Sequence, residues 1–412
     1  MTKAIGAGLL FFLAVEPTIR ETSPLTILWA APSILIAAMV IAWAAESAQF
    51  FIAQGFALAI LALLQTLPEF AVEAVLAWRQ QVHYLLANLT GALRLLTGLG
   101  WPMIYFAAAM VHRRRVGEPM RRIVLTGEHS VQVVGLVPSL LYAGVVFWKR
   151  SLHLADAAVL IAIYAAYLVL LSKMPPQEEE GIDDLERIPR AIVQSPRARR
   201  IALINLLFVI GGALIYFSAE PFLGSLFALS VGLGVPSFVF IQWVAPFLSE
   251  FPEGLSTFYW ARTVHRAPMA LMNLVSSNIN QWTLLMAMLP VVLSMSVGGA
   301  AAIPLDGQQE LELLMTIGQQ LIGLVFLMNM QLAWWEAAGL FGLWFVQFCF
   351  SAVPSQTPFL GAIAQHLHVW ITVAYFALAG WGLLRLLLSP RKPAAFVEFG
   401  KLWRAYVGAA KS

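Results

Sequence analysis

The sequence predicts an all-α polytopic membrane protein: ten core transmembrane helices arranged as two inverted five-helix repeats, plus one or two extra spans, about 11–12 in total. Three observations predict it. Of 412 residues, 60% are hydrophobic and 11% charged, against about 45–50% apolar and about 25% charged usage in soluble domains. Apolar stretches run for about 20 residues with few interior charges, enough for a helix rising 1.5 Å per residue to cross a ~30 Å hydrocarbon core. Segments of the first half also recur, in order, in the second. The ten-residue alternation of a barrel strand is absent, which argues against an outer-membrane barrel.

In chain order the spans fall at 25–55, 56–79, 83–111, 131–148, 153–172, 201–230, 236–261, 268–297, 311–331, 333–352 and 362–389. The run from Ala4 to Val15 is marginal in length, and no A-x-A cleavage pattern follows it, which favours a retained segment. The expected organisation is an N-terminal extra span or surface segment (1–24), a first repeat (25–172), a cytoplasmic loop (173–200), a second, inverted repeat (201–352) and an extra C-terminal span with a cytoplasmic tail (353–412).

Basic residues concentrate at Arg113 to Arg115 with Arg121 and Arg122, from Arg187 to Arg200, at Arg262 with Arg266, and from Arg385 onward. These are alternate links, so the positive-inside rule places all four in the cytoplasm without contradiction. The net charge of +3 is thereby an orientation signal and implies no nucleic-acid partner. The one long polar link, Lys173 to Arg200, carries Glu178 to Glu180 and Asp183-Asp184 without the spacing of a calcium loop, and reads as a solvated connector. Cys349 is the single cysteine, so neither a disulfide frame nor a thiolate metal site is available.

The repeat is visible residue by residue. Ala45-Glu46-Ser47 running on to Pro68-Glu69 is echoed by Ala219-Glu220-Pro221 running on to Pro252-Glu253. Asn88-Leu89-Thr90-Gly91 begins 19 residues after Glu69, and Asn273, heading Asn273-Leu274-Val275-Ser276-Ser277-Asn278, lies 20 after Glu253. Asp156 and Glu336, each followed by two alanines, open a later span in each half. Five spans per half is an odd number, so the second copy enters the membrane from the opposite side. Inverted repeats of this kind place a substrate site at mid-bilayer, where interrupted helices expose backbone groups. Pro68 and Pro252 supply the interruption.

A charge at mid-bilayer costs at least ~2.5–3.5 kcal/mol, which makes Glu69 and Glu253 the leading candidates for a functional site. Glu73 at i+4 and Glu250 at i−3 share their helical faces, so four carboxylates converge. Hard divalent cations take six or more oxygens, and Thr66, Ser249, Asn88, Asn273 and Ser277 are the candidates to complete such a shell. The alternative role for these neutral side chains is bonding between helices.

With these motifs the chain resembles the Ca2+:cation antiporter superfamily, which includes sodium/calcium and cation/proton exchangers. Its two repeats carry G-T-S-x-P-E followed by G-N-x-x-G-S-N. Over roughly residues 30–350 this sequence keeps the P-E, the Asn and the distance between them in both halves. The departures are specific. Leu64-Gln65-Thr66 and Leu248-Ser249-Glu250 stand where the family has G-T-S, and Ala92 and Leu93 replace the Ser and Asn that Ser277 and Asn278 retain. A polar family position three residues on is Leu96 in the first copy and Gln281 in the second.

The resemblance implies ten core helices, alternating access, and direct binding of the transported cation by Glu69 and Glu253 as metal ligands. The cargo is expected to be Ca2+ or another divalent cation exchanged for H+ or Na+, with lipid, inorganic cations and protons as partners and no cofactor. Arg94, one turn past Gly91, is a candidate modulator of the site. A guanidinium there pairing with Glu73 or another carboxylate would occupy part of the ion site, disfavouring several sodium ions and favouring proton coupling. A non-transporting binding or sensor relative and a monovalent-cation antiporter are the competing readings. No catalytic motif (G-x-S-x-G, H-E-x-x-H, Walker A) occurs, so an enzyme has no support. His366 and His368, two apart, point to different helix faces and make a poor metal pair. Short links without an organelle address suggest a bacterial-type inner membrane.

Overall fold

The computed structural model describes residues 22–51, 57–174, 185–353, 357–390 and 392–408. The Ala4 to Val15 run and the acidic part of the 173–200 link lie outside the described residues. The first repeat comprises α1 (Ile27–Ala48), α2 (Ala57–Gln65), α3 (Leu67–Trp78), α4 (Val82–Leu95), α5 (Trp101–Val116), α6 (Ser130–Lys149) and α7 (Leu154–Ser172). A short α8 (Arg187–Val193) leads into the second: α9 (Arg197–Leu233), α10 (Ser237–Ser249), α11 (Phe251–Ala261), α12 (Ala267–Asn280), α13 (Met286–Val297), α14 (Gly307–Leu327) and α15 (Trp334–Ser351). The chain continues through α16 (Leu360–Leu388) and α17 (Ala394–Leu402).

Among the described residues eight helices are long and apolar enough to cross a membrane, nine when the bent pair α2 and α3 counts as one. That pair is bent by 50°. The 13-residue α10 and 11-residue α11 reproduce the break in the second half. Pro68 and Pro252 occupy the first turn of α3 and α11, where the missing N–H costs nothing. The prolines thus open the second half-helix of each broken span. In both copies the following span (α4 into α5, α12 into α13) is continuous but interrupted by a π-helical turn, at Leu96–Gly100 and Gln281–Leu285.

Two strand pairs demonstrate the inversion. β1 (Arg122–Val124) follows α5 and pairs antiparallel with β4 (Gln331–Ala333). β2 (Ser151–Leu152) pairs with β3 (Ile303–Pro304), which follows α13. The 20 residues of α6 separate β1 from β2 by about 30 Å, so they lie on opposite faces. The equivalent helices α5 and α13 therefore end on opposite faces, as two inverted copies require. The same connectivity brings all four basic clusters to one face. Helices equivalent by sequence also cap alike: Asp156 accepts the His153 amide at 2.7 Å, and Glu336 the Ala333 amide at 2.7 Å. The third sequence echo is therefore a helix-capping device at the start of α7 and α15.

Gly91 has a packing reason. A Cβ there would overlap the backbone carbonyl oxygen of Gln242, so only glycine lets α4 and α10 touch backbone to backbone. That contact presses the broken helix of one repeat against the polar span of the other.

Candidate functional site

The breaks deliver four glutamates to one place. Glu69 and Glu253 sit in the first turn of α3 and α11, where unpaired N–H groups favour negative charge. Asn273 of α12 donates through Nδ2 to Glu253 Oε1 at 3.0 Å, and Ser277 donates its hydroxyl to the same oxygen at 2.5 Å. In the first copy Asn88 of α4 donates to Glu73 Oε1 at 3.1 Å. Gln281, the first residue of the second π turn, donates through Nε2 to Glu69 Oε2 at 2.9 Å and to Glu250 Oε1 at 2.6 Å. One amide of the second repeat thus ties together a carboxyl group from each. The Glu250 carboxyl also lies within hydrogen-bonding reach of both Glu69 and Glu253.

All four glutamates are buried, none more than 4% exposed, and among the described residues none forms a salt bridge. Buried carboxylates without a counter-charge are costly. They stand beside further acceptors that lack donors: Glu69 Oε1, Glu73 Oε2, Glu253 Oε2, Asn88 Oδ1, Asn273 Oδ1 and Gln281 Oε1 are all buried with no hydrogen-bond partner. Native interiors leave few polar atoms in this condition. A cluster in which unpartnered acceptors outnumber the one unpartnered donor beside them, Gln65 Nε2, is chemically suited to positive charge, a hard cation or protons.

The similarity to known proteins follows the same two segments. The family model described as sodium/calcium exchanger protein matches residues 23–173 and 203–353, one block for each repeat. The chain belongs to the sodium/calcium exchanger family. Among solved structures this exchanger is similar to the H+/Ca2+ exchanger CAX, at 30% identity and a TM-score of 0.81, with 93% of this chain and 92% of that one covered. It also shares the fold of the sodium-calcium exchanger NCX_Mj, at 16% identity and a TM-score of 0.52, covering 83% of this chain and 99% of that one. Among curated protein sequences none matches the chain.

The exchanger treats the remaining expected residues unequally. Thr66 lies at the break between α2 and α3, its hydroxyl donating to the Leu63 carbonyl at 3.0 Å and accepting from Asn280 Nδ2 at 2.5 Å. Ser249 turns its hydroxyl back onto Ala245 and Pro246 of its own helix, at 3.2 and 3.3 Å. Of the two pairings expected for Arg94, with Glu73 or with another carboxylate, the structure shows the second. Its partner is Glu312 of α14, at 2.6 Å, with both side chains buried. Glu312 also accepts from Gln242 at 2.9 Å and contacts His368 Nδ1 at 3.1 Å, while the Arg94 guanidinium stacks 5.2 Å from the Trp243 ring. This is a second polar cluster, facing α16 and separate from the first. His366, two residues from His368, is exposed and lies against Trp370, so the histidines diverge as their spacing predicts.

Sequence reasoning left out Gln281, Gln65 and Asn280 as site residues. Asn273 reaches Gln65 Oε1 at 3.3 Å across the repeats. Gln281 carried a usable signal, since it is the polar residue at the position where the first copy has Leu96.

Proposed function

We propose that this member of the family is a secondary antiporter that exchanges Ca2+ or another divalent cation for protons, with Na+ as the alternative counter-ion. The observation that carries the reading is the cluster of buried, donorless oxygens around Glu69, Glu73 and Glu253. Those around the glutamates, from Glu69, Glu73, Glu253, Asn88 and Asn273, are the carboxylate and amide oxygens that a hard divalent cation takes, a mixture that suits flexible Ca2+ geometry. Glu69 and Glu253 are the principal ligands, with Glu73, Glu250, Asn88 and Asn273 around them. Ser277 holds Glu253 by a hydrogen bond.

Carboxyl groups in mutual contact cannot all remain ionised without a proton or a cation among them. Protons and metal therefore compete for the same oxygens, which is the requirement for exchange. The likeness to the H+/Ca2+ exchanger CAX supports protons as the counter-ion. The inverted repeats supply two equivalent, oppositely directed half-pathways to a midplane site, and alternating exposure of that site couples the fluxes. The four arginine clusters orient the basic face to the cytoplasm, in a bacterial-type inner membrane.

The test is Ca2+ uptake into proteoliposomes under an imposed pH gradient and, separately, a sodium gradient, with Glu69→Gln and Glu253→Gln as controls. Uptake driven by the pH gradient and lost in both variants is the expected result. Absence of flux for Ca2+ and competing divalent cations under either gradient would overturn the proposal.

A further inference from the structure

The bridge made by Gln281 has a chemical consequence for cation affinity. Its side chain is buried in the second π turn, and the two atoms facing its tip are carboxylate oxygens, so only the NH2 end of the amide can point at them. Nε2 lies 2.9 Å from Glu69 Oε2 and 2.6 Å from Glu250 Oε1. A Ca2+ ion bridging these oxygens would sit at about 2.3–2.6 Å from each. The nitrogen and the ion would need the same space. The amide oxygen has no hydrogen-bond partner, so nothing in the network fixes that end of the group.

We propose that Gln281 is a tethered competitor of the transported cation, an internal donor that a cation must displace from Glu69 and Glu250 and that thereby sets how tightly the site binds. The inference rests on the reading of the glutamate cluster as a cation site. It assigns to Gln281 a role opposite in sign to that of a ligand: removing the amide strengthens cation binding. Any interaction made with the carboxylates only when the metal is away stabilises the metal-free protein, and its loss shifts the equilibrium toward the bound form. A permanently charged ammonium at the same position does the reverse, since it supplies both the donors and the charge.

The experiment is calorimetric titration of Ca2+ into the purified full-length protein and its Gln281→Met and Gln281→Lys variants, with size-exclusion profile and thermal unfolding recorded for each. Gln281→Met, similar in length and without the donor, is expected to bind Ca2+ about tenfold more tightly, equivalent to about 1.4 kcal/mol. Gln281→Lys is expected to remain monodisperse with an undiminished melting temperature and to lose Ca2+ binding. Weaker binding by Gln281→Met, with the wild type binding normally, would make the amide a ligand and overturn the inference while leaving the cation site standing. Wild-type affinity in Gln281→Lys would overturn it equally, and decides the matter if the Met variant does not fold. A wild-type protein that binds no divalent cation would remove the cation site itself and the competitor with it.

Discussion

The spans formed by α4 with α5 and by α12 with α13 share a 14-residue first helix and a five-residue π turn, yet they line the centre of the molecule with different chemistry. On α12 and the turn after it, Asn273, Ser277 and Gln281 all donate to the glutamates. On α4 only Asn88 does, and the positions equivalent to Ser277 and Gln281 are Ala92 and Leu96. Where α12 carries Ile279, α4 carries Arg94, turned away toward Glu312. Backbone geometry is thus duplicated while ligand-side chemistry is concentrated in the second copy. An inverted repeat needs matching helices to exchange access, but its site does not need matching side chains.

The largest expected effect tests that concentration directly. Hydrogen bonds to charged groups contribute about 1.5–3 kcal/mol each, and each 1.4 kcal/mol is about tenfold. Glu253, held by two side-chain donors, is expected to lose about 100-fold or more of exchange rate as Glu253→Gln, and Glu73, held by the one side-chain donor Asn88, about tenfold as Glu73→Gln. Equal losses in the proteoliposome assay would break the comparison.

Next in size is the cluster peculiar to the first copy. Arg94→Met leaves Glu312 buried beside Gln242 and His368 without its guanidinium, and removal of one partner of a buried pair costs about 3–5 kcal/mol. A lowered melting temperature is expected, with most of the loss recovered in the Arg94→Met/Glu312→Gln double variant. Non-recovery would show that Arg94 acts elsewhere.

A smaller difference is expected at the matched positions Gly91 and Ser276. Gly91→Ala forces α4 from α10, at about 1–3 kcal/mol, whereas Ser276→Ala removes one hydroxyl contact with Tyr167 at 3.2 Å and costs about 1 kcal/mol. Thermal unfolding of the two variants side by side measures the asymmetry.

The smallest effect is at the matched caps Thr126 and Asp306. Partial burial raises the Asp306 carboxyl, but the Gln309 amide and the His83 ring outweigh this and hold it below the usual range. A depressed carboxyl stabilises above its unfolded pKa of about 3.9 and loses that contribution as pH falls through the folded value. Asp306→Ala is therefore expected to cost about 1 kcal/mol at neutral pH and progressively less below about pH 4, measured by thermal unfolding across that range beside Thr126→Ala, which removes no carboxyl.

The spans, their inversion and the two P-E glutamates were legible because each follows from local pattern: hydropathy, alternate arginine clusters, and proline beside an acid. Gly91 was legible as a motif letter, though its reason, the Gln242 carbonyl, lies 151 positions away in sequence. Arg94 shows where sequence reading ends. Its position in a span announced a partner, and the nearest acid in sequence was the natural candidate, but packing of α4 against α14 decided for Glu312. Ser249 and Thr66 were chosen as oxygen donors by residue type, and only the backbone around each helix break reveals that their hydroxyls bond back to their own chain. Gln281 was marked in the sequence as a polar position, but its place between two carboxylates follows only from folding both repeats together.

The two π turns are also matched in register. A π turn holds one residue more than the α-helical turn it replaces, so each marks a single extra residue in its span. Leu96–Gly100 and Gln281–Leu285 stand at the same distance from Asn88 and Asn273. The two copies share that extra residue while differing in the side chain that opens the turn, Leu96 in one and Gln281 in the other.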